Sequence, residues 1–134
     1  MLQKLTVGQQ ASIKKSFSPE EVEHFAELSM DRNPIHLDEN AAAASVFGRR
    51  VVHGMLVASL FSALLGQHLP GEGTIFLGIN LQFKGPVFID DEVTAFVQVI
   101  KMREDKPIVT LRAWCENSQG ETVVDGEAVA KAPI

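Results

Sequence analysis

In the stretch ELSMDRNPIHLDE, residues 27–39, an acid and an imidazole stand five positions apart across a proline: Asp31 and His36, with Asn33 and Pro34 between them. A carboxylate and an imidazole that share one water molecule can take a proton from it and deliver a proton elsewhere. Pro34 brings the chain back on itself, which lets both side chains lie on one wall of a cleft. The same residues also have an architectural reading, in which Asp31 caps a turn and His36 is a satisfied, partly buried imidazole. Asn33 and Pro34 are turn formers, with Asn33 holding the loop by side-chain to backbone bonds.

Upstream of the pair, SFSPEEVEHFAELS predicts a helix. Ser18 caps it, Pro19 takes the first turn, Glu21 completes an S-x-x-E capping box, and Val22, Phe25, Ala26 and Ser29 recur at helical spacing. Pro34 stops that helix from continuing. After the Asp31 to His36 turn, Asp38 caps a short alanine helix, ENAAAAS, that ends near Gly48. Residues 51–71 contain no Lys, Arg, Asp or Glu, and their apolar residues surround a helix on all sides, which predicts burial nearly everywhere. Residues 5–16 have strand-like content with weak alternation. In TIFLGINLQFK the period changes to two, with Ile75, Leu77, Ile79, Leu81 and Phe83 on one face of a strand. Three more strands are predicted at 92–102, 108–116 and 121–131, with turn chemistry at GPVFIDD, REDKP and NSQG. Val109, Leu111, Ala113 and Cys115 form one apolar face of the third strand of this half. The order predicts an α+β fold in which an antiparallel sheet wraps around a central apolar helix.

The 134 residues, 46% of them hydrophobic, predict one domain, 1–134, with a core that folds without staples. The lone Cys115 has no internal disulfide partner, and the start MLQKLTVGQQ lacks a basic patch followed by an apolar run, so the cytoplasm is the expected compartment. The net charge is −5, and no basic run exceeds the pairs Lys14-Lys15 and Arg49-Arg50, which argues against nucleic-acid binding. The run MLVASLFSALL is roughly half the length of about 20 apolar residues that a membrane span needs. No CxxC, HExxH, GxGxxG or Walker spacing occurs, so neither a metal nor a nucleotide cofactor is expected.

The motif D-x-N-P-x-H, followed by a buried helix opening with HGM and an antiparallel sheet, resembles the hotdog fold of the MaoC-like (R)-specific enoyl-CoA hydratases. The resemblance is nearest to the short single-domain hydratases that feed polyhydroxyalkanoate synthesis. It covers nearly the whole chain: FAELSMDRNPIHLD resembles the hydratase signature, VVHGMLVASLF the start of the central helix, and LQFKGPVFIDDEV the strand-turn-strand after it. Two positions depart from the family pattern. Met30 stands where the family has Gly before its Asp, and Asp90-Asp91 replaces the usual Gly-Asp pair of the later turn; Gly tolerates backbone conformations that Met does not.

The resemblance implies addition of water to trans-2-enoyl-CoA to give (R)-3-hydroxyacyl-CoA, a lyase reaction with no cofactor beyond the CoA of the substrate. Such a reaction needs a proton taken from water as it attacks Cβ, a proton delivered to Cα, and stabilisation of the enolate charge on the thioester oxygen. By resemblance Asp31 and His36 are the catalytic pair, with Asp31 the base and His36 hydrogen-bonded to the same water. The free N–H groups and partial positive charge at the start of the buried helix suit the oxyanion, and Gly54 lets a thioester carbonyl approach there, or else merely permits close packing. His53 is read as structural. Ser62 either bonds the carbonyl one turn back or touches substrate, as the family pattern suggests, and Leu65 floors an acyl pocket or is core. A floor at Leu65 implies short acyl chains. The cations available for the CoA phosphates are Arg49, Arg50, Lys84, Lys101, Arg103 and Lys106, none of them singled out.

Two other activities share the pattern. One is a dehydratase acting on acyl-carrier-protein thioesters, which a basic patch at the pocket mouth would favour. The other is a non-catalytic acyl-CoA-binding module, which would bind product tightly without turnover. A single such sheet leaves strand edges unpaired, and with no second repeat in the chain the expected partner is another copy, giving a homodimer.

Overall fold

The computed structural model describes residues 4–133; residues 1–3 and 134, the ends of the predicted domain, lie outside the described residues. The elements run β1 (Gln10–Ser16), α1 (Pro19–Ser29), α2 (Pro34–Leu37), α3 (Glu39–Ala43), α4 (Gly54–Gln67), β2 (Ile75–Phe83), β3 (Glu92–Met102), β4 (Ile108–Asn117) and β5 (Thr122–Lys131). One five-stranded sheet in the order β1-β3-β4-β5-β2, with every pairing antiparallel, curls against α4. This is the arrangement that the change from helical to strand period predicts.

The inner face of the sheet is built by alternation. Val93, Ala95, Val97 and Val99 of β3 and Val109, Leu111, Ala113 and Cys115 of β4 are all buried, and so are Ala128 and Ala130 of β5. Small residues there leave room for the helix, whose Val57, Phe61 and Leu64 fill the space in the same core. Burial pushes the Cys115 thiol up to about 12. The first strand is shorter than its expected span of 5–16. Gly8 adopts φ 98°, a left-handed conformation that turns the chain, and Gln9 N–H bonds back to Thr6 O, so pairing with β3 becomes regular only from Gln10.

The helix α1 starts as its sequence predicts: Glu21 N–H donates to Ser18 Oγ and Ser18 N–H to Glu21 Oε1, with Pro19 in the first turn. Pro34 does more than stop it. With Asn33 as cap, Pro34 opens the one-turn helix α2 that carries His36, because the fixed φ of proline suits a helix start as well as it blocks a helix interior. The alanine helix α3 is capped by Asp38, which accepts from Asn40 N–H and Ala41 N–H.

One expectation needs correction. The helix α4 is not buried nearly everywhere: Val57, Leu60, Phe61, Leu64 and Leu65 are inside, while Met55, Ser59 and Ser62 are exposed on its other side. The apolar face of β2 is also largely bare: Ile75, Leu77, Ile79 and Phe83 are exposed on this edge strand, and of that face Leu81 packs against the core. Hydropathy marks a surface that must be covered without saying by what.

Candidate active site

The loop carrying Asp31 starts where Met30 ends α1 with φ 68°, and the Asp31 N–H donates to Ser29 Oγ at 3.1 Å. Asp31 Oδ1 accepts from Asn33 N–H at 3.2 Å, and Asn33 Oδ1 in turn accepts from Ile35 N–H at 3.4 Å, which starts α2. The second oxygen, Asp31 Oδ2, faces His36 Nε2 at 4.0 Å. Asp31 therefore does both things the sequence allows: one oxygen holds the turn and the other looks at the imidazole.

His36 is buried, and its Nδ1 lies 2.7 Å from Val51 O. A carbonyl only accepts, so Nδ1 carries the proton and the lone pair of neutral His36 sits on Nε2, toward Asp31. Two acceptors 4.0 Å apart fit one water, which at about 2.8 Å from each would donate one O–H to each and keep its own lone pairs free to attack. The pair is thus arranged for proton transfer through water rather than for a direct ion pair. Asp31 is half exposed and His36 is not, so the gap between them opens to solvent on the Asp31 side.

His53, the cap residue of α4, is 1% exposed. Its Nε2 lies 3.0 Å from the Asp31 carbonyl oxygen, to which it donates, and its ring stacks on His36 with centroids 3.9 Å apart and an interplanar angle of 23°. Phe25 of α1 meets it edge-on at 4.9 Å. Burial holds the His53 pKa below its ordinary value, against the pull of the hydrogen bond to Asp31. Asp31, His36 and His53 bring three metal-type ligand atoms within 4.8 Å of one another. Stacked rings, however, send their in-plane lone pairs out nearly parallel, so both imidazoles cannot converge on one ion; the cluster suits proton handling.

A cleft of about 480 Å³ opens beside His36, lined by Ile35, Val51, Val52, Gly54, Val57, Phe83, Val87 and their neighbours. It is mostly apolar. Gly54, the first residue of α4, forms part of its wall, and the amides of Gly54 and Met55 come before the first intrahelical bond, which Leu56 N–H makes to His53 O. A Cβ at Gly54 would lie 2.8 Å from the Phe83 ring, so the glycine also serves close packing.

Asp31, His36, Gly54 and Asn33 are thus brought together. Ser62 and Leu65 are not: Leu65 is buried in the core, Ser62 is exposed on the outer side of α4, and neither lines the cleft. Of the cations, Arg49 pairs with Asp91 at 2.8 Å and lies over the Phe88 ring, Lys84 sits 3.9 Å from Asp125 at the cleft wall, and Arg103 pairs with Asp105. Lys101 and Lys106 are exposed. Arg50 is different: its largely buried guanidinium donates from Nε to the His36 carbonyl at 2.8 Å. The only sequence signal for that contact is its adjacency to the VVHG segment.

A sheet curled on one apolar helix, with an Asp–His pair at the N-terminal end of that helix, defines a hotdog-fold protein of the thioester-handling type. The chain belongs to the MaoC-like family, whose domain model matches residues 3–119. It is 56% identical over 131 residues to the (R)-specific enoyl-CoA hydratase of Aeromonas caviae, covering 98% of each chain. It is 45% identical over 126 residues to the (R)-specific enoyl-CoA hydratase of Rhodospirillum rubrum, covering 94% of this chain and 87% of that one. Among solved structures, the A. caviae (R)-hydratase involved in polyhydroxyalkanoate biosynthesis superposes with a TM-score of 0.96 over 98% of this chain and 99% of its own.

Proposed function

We propose that this protein is an (R)-specific enoyl-CoA hydratase, a hydro-lyase that adds water to trans-2-enoyl-CoA and yields (R)-3-hydroxyacyl-CoA. The observation that carries the reading is the 4.0 Å gap between Asp31 Oδ2 and His36 Nε2, beside an apolar cleft that reaches the start of α4. Asp31 takes a proton from the water that His36 orients, and the water oxygen bonds to Cβ of the enoyl group. The double-bond electrons move toward the thioester oxygen, where the Gly54 amide and the positive end of α4 stabilise the enolate. Protonation at Cα by the pair completes the addition, and no atom is left over. The similarity to two (R)-specific enoyl-CoA hydratases supports this activity.

CoA rather than a carrier protein is the favoured thioester. An acidic carrier protein is recognised by free basic charge, whereas Arg49 and Lys84 beside the cleft each have a carboxylate partner. The substrate is a short acyl chain in this reading, since Val57, Val87 and Val124 line the cleft and belong to the packed core, and each methylene left unburied forfeits about 0.8 kcal/mol. Ser62 remains a candidate for acyl contact only if a second copy folds over the outer side of α4, whereas Leu65, buried on the inner side, gains no access that way. The product would enter polyhydroxyalkanoate synthesis, the process in which the A. caviae (R)-hydratase is involved, and the cytoplasm is its expected setting. Within the described residues, no helix is long and apolar enough to cross a membrane.

The deciding experiment is crotonyl-CoA hydration, followed by loss of enone absorbance, with the chirality of the product determined. Turnover to the (R)-alcohol is expected. Tight binding of product without turnover, or formation of the (S)-alcohol, would overturn the reading. Relative kcat/KM for four-, six- and ten-carbon substrates tests the chain-length part, which a ten-carbon optimum would reject.

A further inference from the structure

Resting on the hydratase reading, we infer that the segment Arg50–His53 is a clamp in which Arg50 and His53 act as positioning residues for the Asp31–His36 pair. His53 Nε2 donates to the Asp31 carbonyl at 3.0 Å, and Arg50 Nε donates to the His36 carbonyl at 2.8 Å. Between them, Val51 O accepts the hydrogen bond from His36 Nδ1–H at 2.7 Å, while Val51 N–H donates to Ile35 O at 3.2 Å. Both ends of the loop therefore hang from four consecutive residues, and the next residue is Gly54. The clamp fixes the distance across the pair and, through Gly54, the place of the pair relative to the amides at the start of α4.

Packing alone does not account for these side chains. Among the described residues the buried side-chain atoms without a hydrogen-bond partner are Arg50 Nη2 and His53 Nδ1, one on each jaw of the clamp. An apolar ring at position 53 would stack on His36 and meet Phe25 equally well without leaving a buried nitrogen bare, and methionine at position 50 would fill the site without a buried charge. What neither replacement supplies is the donor to the loop carbonyl. The ionisable groups that face the His53 ring are Asp31 and His36, and its third packed neighbour, Phe25 of α1, is uncharged; Arg50 also faces the exposed Glu39 carboxylate at 3.8 Å. Loosening the clamp therefore alters the 4.0 Å spacing between the two groups that do the chemistry.

The test compares wild type with His53→Phe, His53→Gln and Arg50→Met in steady-state crotonyl-CoA hydration from pH 5 to 9, with melting curves for each. His53→Phe keeps a stacking ring and loses the donor; His53→Gln keeps an amide donor without the ring. We expect His53→Phe and Arg50→Met to lower kcat by about tenfold or more with KM changed less than about twofold. The acid limb of the kcat profile should move by about half a pH unit or more, and His53→Gln should stay within about threefold of wild type. Wild-type kcat and an unmoved limb in His53→Phe would overturn the inference. So would loss that only tracks the folded fraction, or a glutamine variant as poor as the phenylalanine one. A second readout needs no turnover: the His36 Nδ1–H proton should be slow to exchange by NMR in wild type and exchange faster in Arg50→Met and His53→Phe. A wild-type protein that fails to hydrate crotonyl-CoA would sink the hydratase reading instead, and unchanged exchange in the variants would sink the clamp.

Discussion

The two oxygens of Asp31 divide the labour that the spacing D-x-N-P-x-H leaves undivided. Because Asp31 Oδ1 holds Asn33 N–H, Asp31→Asn retains an acceptor for the turn and loses only the charge and basicity facing His36. Asp31→Asn and His36→Gln should each lower turnover at least about a hundredfold while the protein stays folded, as circular dichroism checks; near-wild-type hydration by either folded variant would refute its role. Both residues are legible in the sequence because they are close along the chain. The contacts that orient them are not, since Val51 and His53 lie 15 and 22 positions away from their partners and reach them only through the fold. His53 also sets a pH dependence of stability. Its folded pKa lies below the ordinary 6.5, so the unfolded chain binds more protons and stability rises with pH in that window. In the downward direction, stability is lost as pH falls below 6.5 toward the folded value. Urea midpoints measured between about pH 7.5 and 5 should therefore decline in wild type and decline less in His53→Phe; equal slopes would exclude His53 as a source.

Among elements, the two departures from the family pattern fall on the two non-glycine residues with positive φ among the described residues, Met30 at 68° and Asp90 at 69°. The backbone keeps the left-handed conformation and accepts its strain, so glycine at these positions is a matter of ease rather than of geometry. Met30 is 83% exposed and has little packing to lose. Left-handed backbone costs an L-residue about 1–2 kcal/mol, and an added glycine loosens the unfolded chain by about 0.4–1 kcal/mol, so Met30→Gly should leave stability unchanged or raise it by up to about 1.5 kcal/mol. Chemical denaturation measures that directly, and a loss of stability would mean that Met30 makes a contact in an assembly. The helices and strands themselves are largely readable, from the capping box of α1 to the period-two faces of β2 and β4. The one-turn α2 is not, because a proline reads as a stop, and only the Asn33 cap turns it into a start.

At the scale of the whole molecule, the unanswered feature is the apolar surface. The edge strand β2 presents Ile75, Leu77, Ile79 and Phe83, and α4 exposes Met55 on its outer side. An edge of nine residues with free backbone groups and apolar side chains invites pairing, and the pairing that closes with identical surfaces is a two-fold one. We expect a homodimer in which the sheets meet along β2, covering the apolar residues that the monomer leaves bare. Ser62, exposed on α4, would come under cover with them and only then be available to a bound acyl chain. Light scattering at micromolar concentration should give about twice the monomer mass. Leu77→Lys, a charge on the exposed face of β2 and outside the Asp31–His36 cleft, should shift the protein toward monomer and lower activity in step with dissociation. A stable wild-type monomer with full activity would rule the interface out, and a tetramer would require a second covered face, for which the partly exposed Phe96 and Ile100 on the outer side of β3 are the place to look.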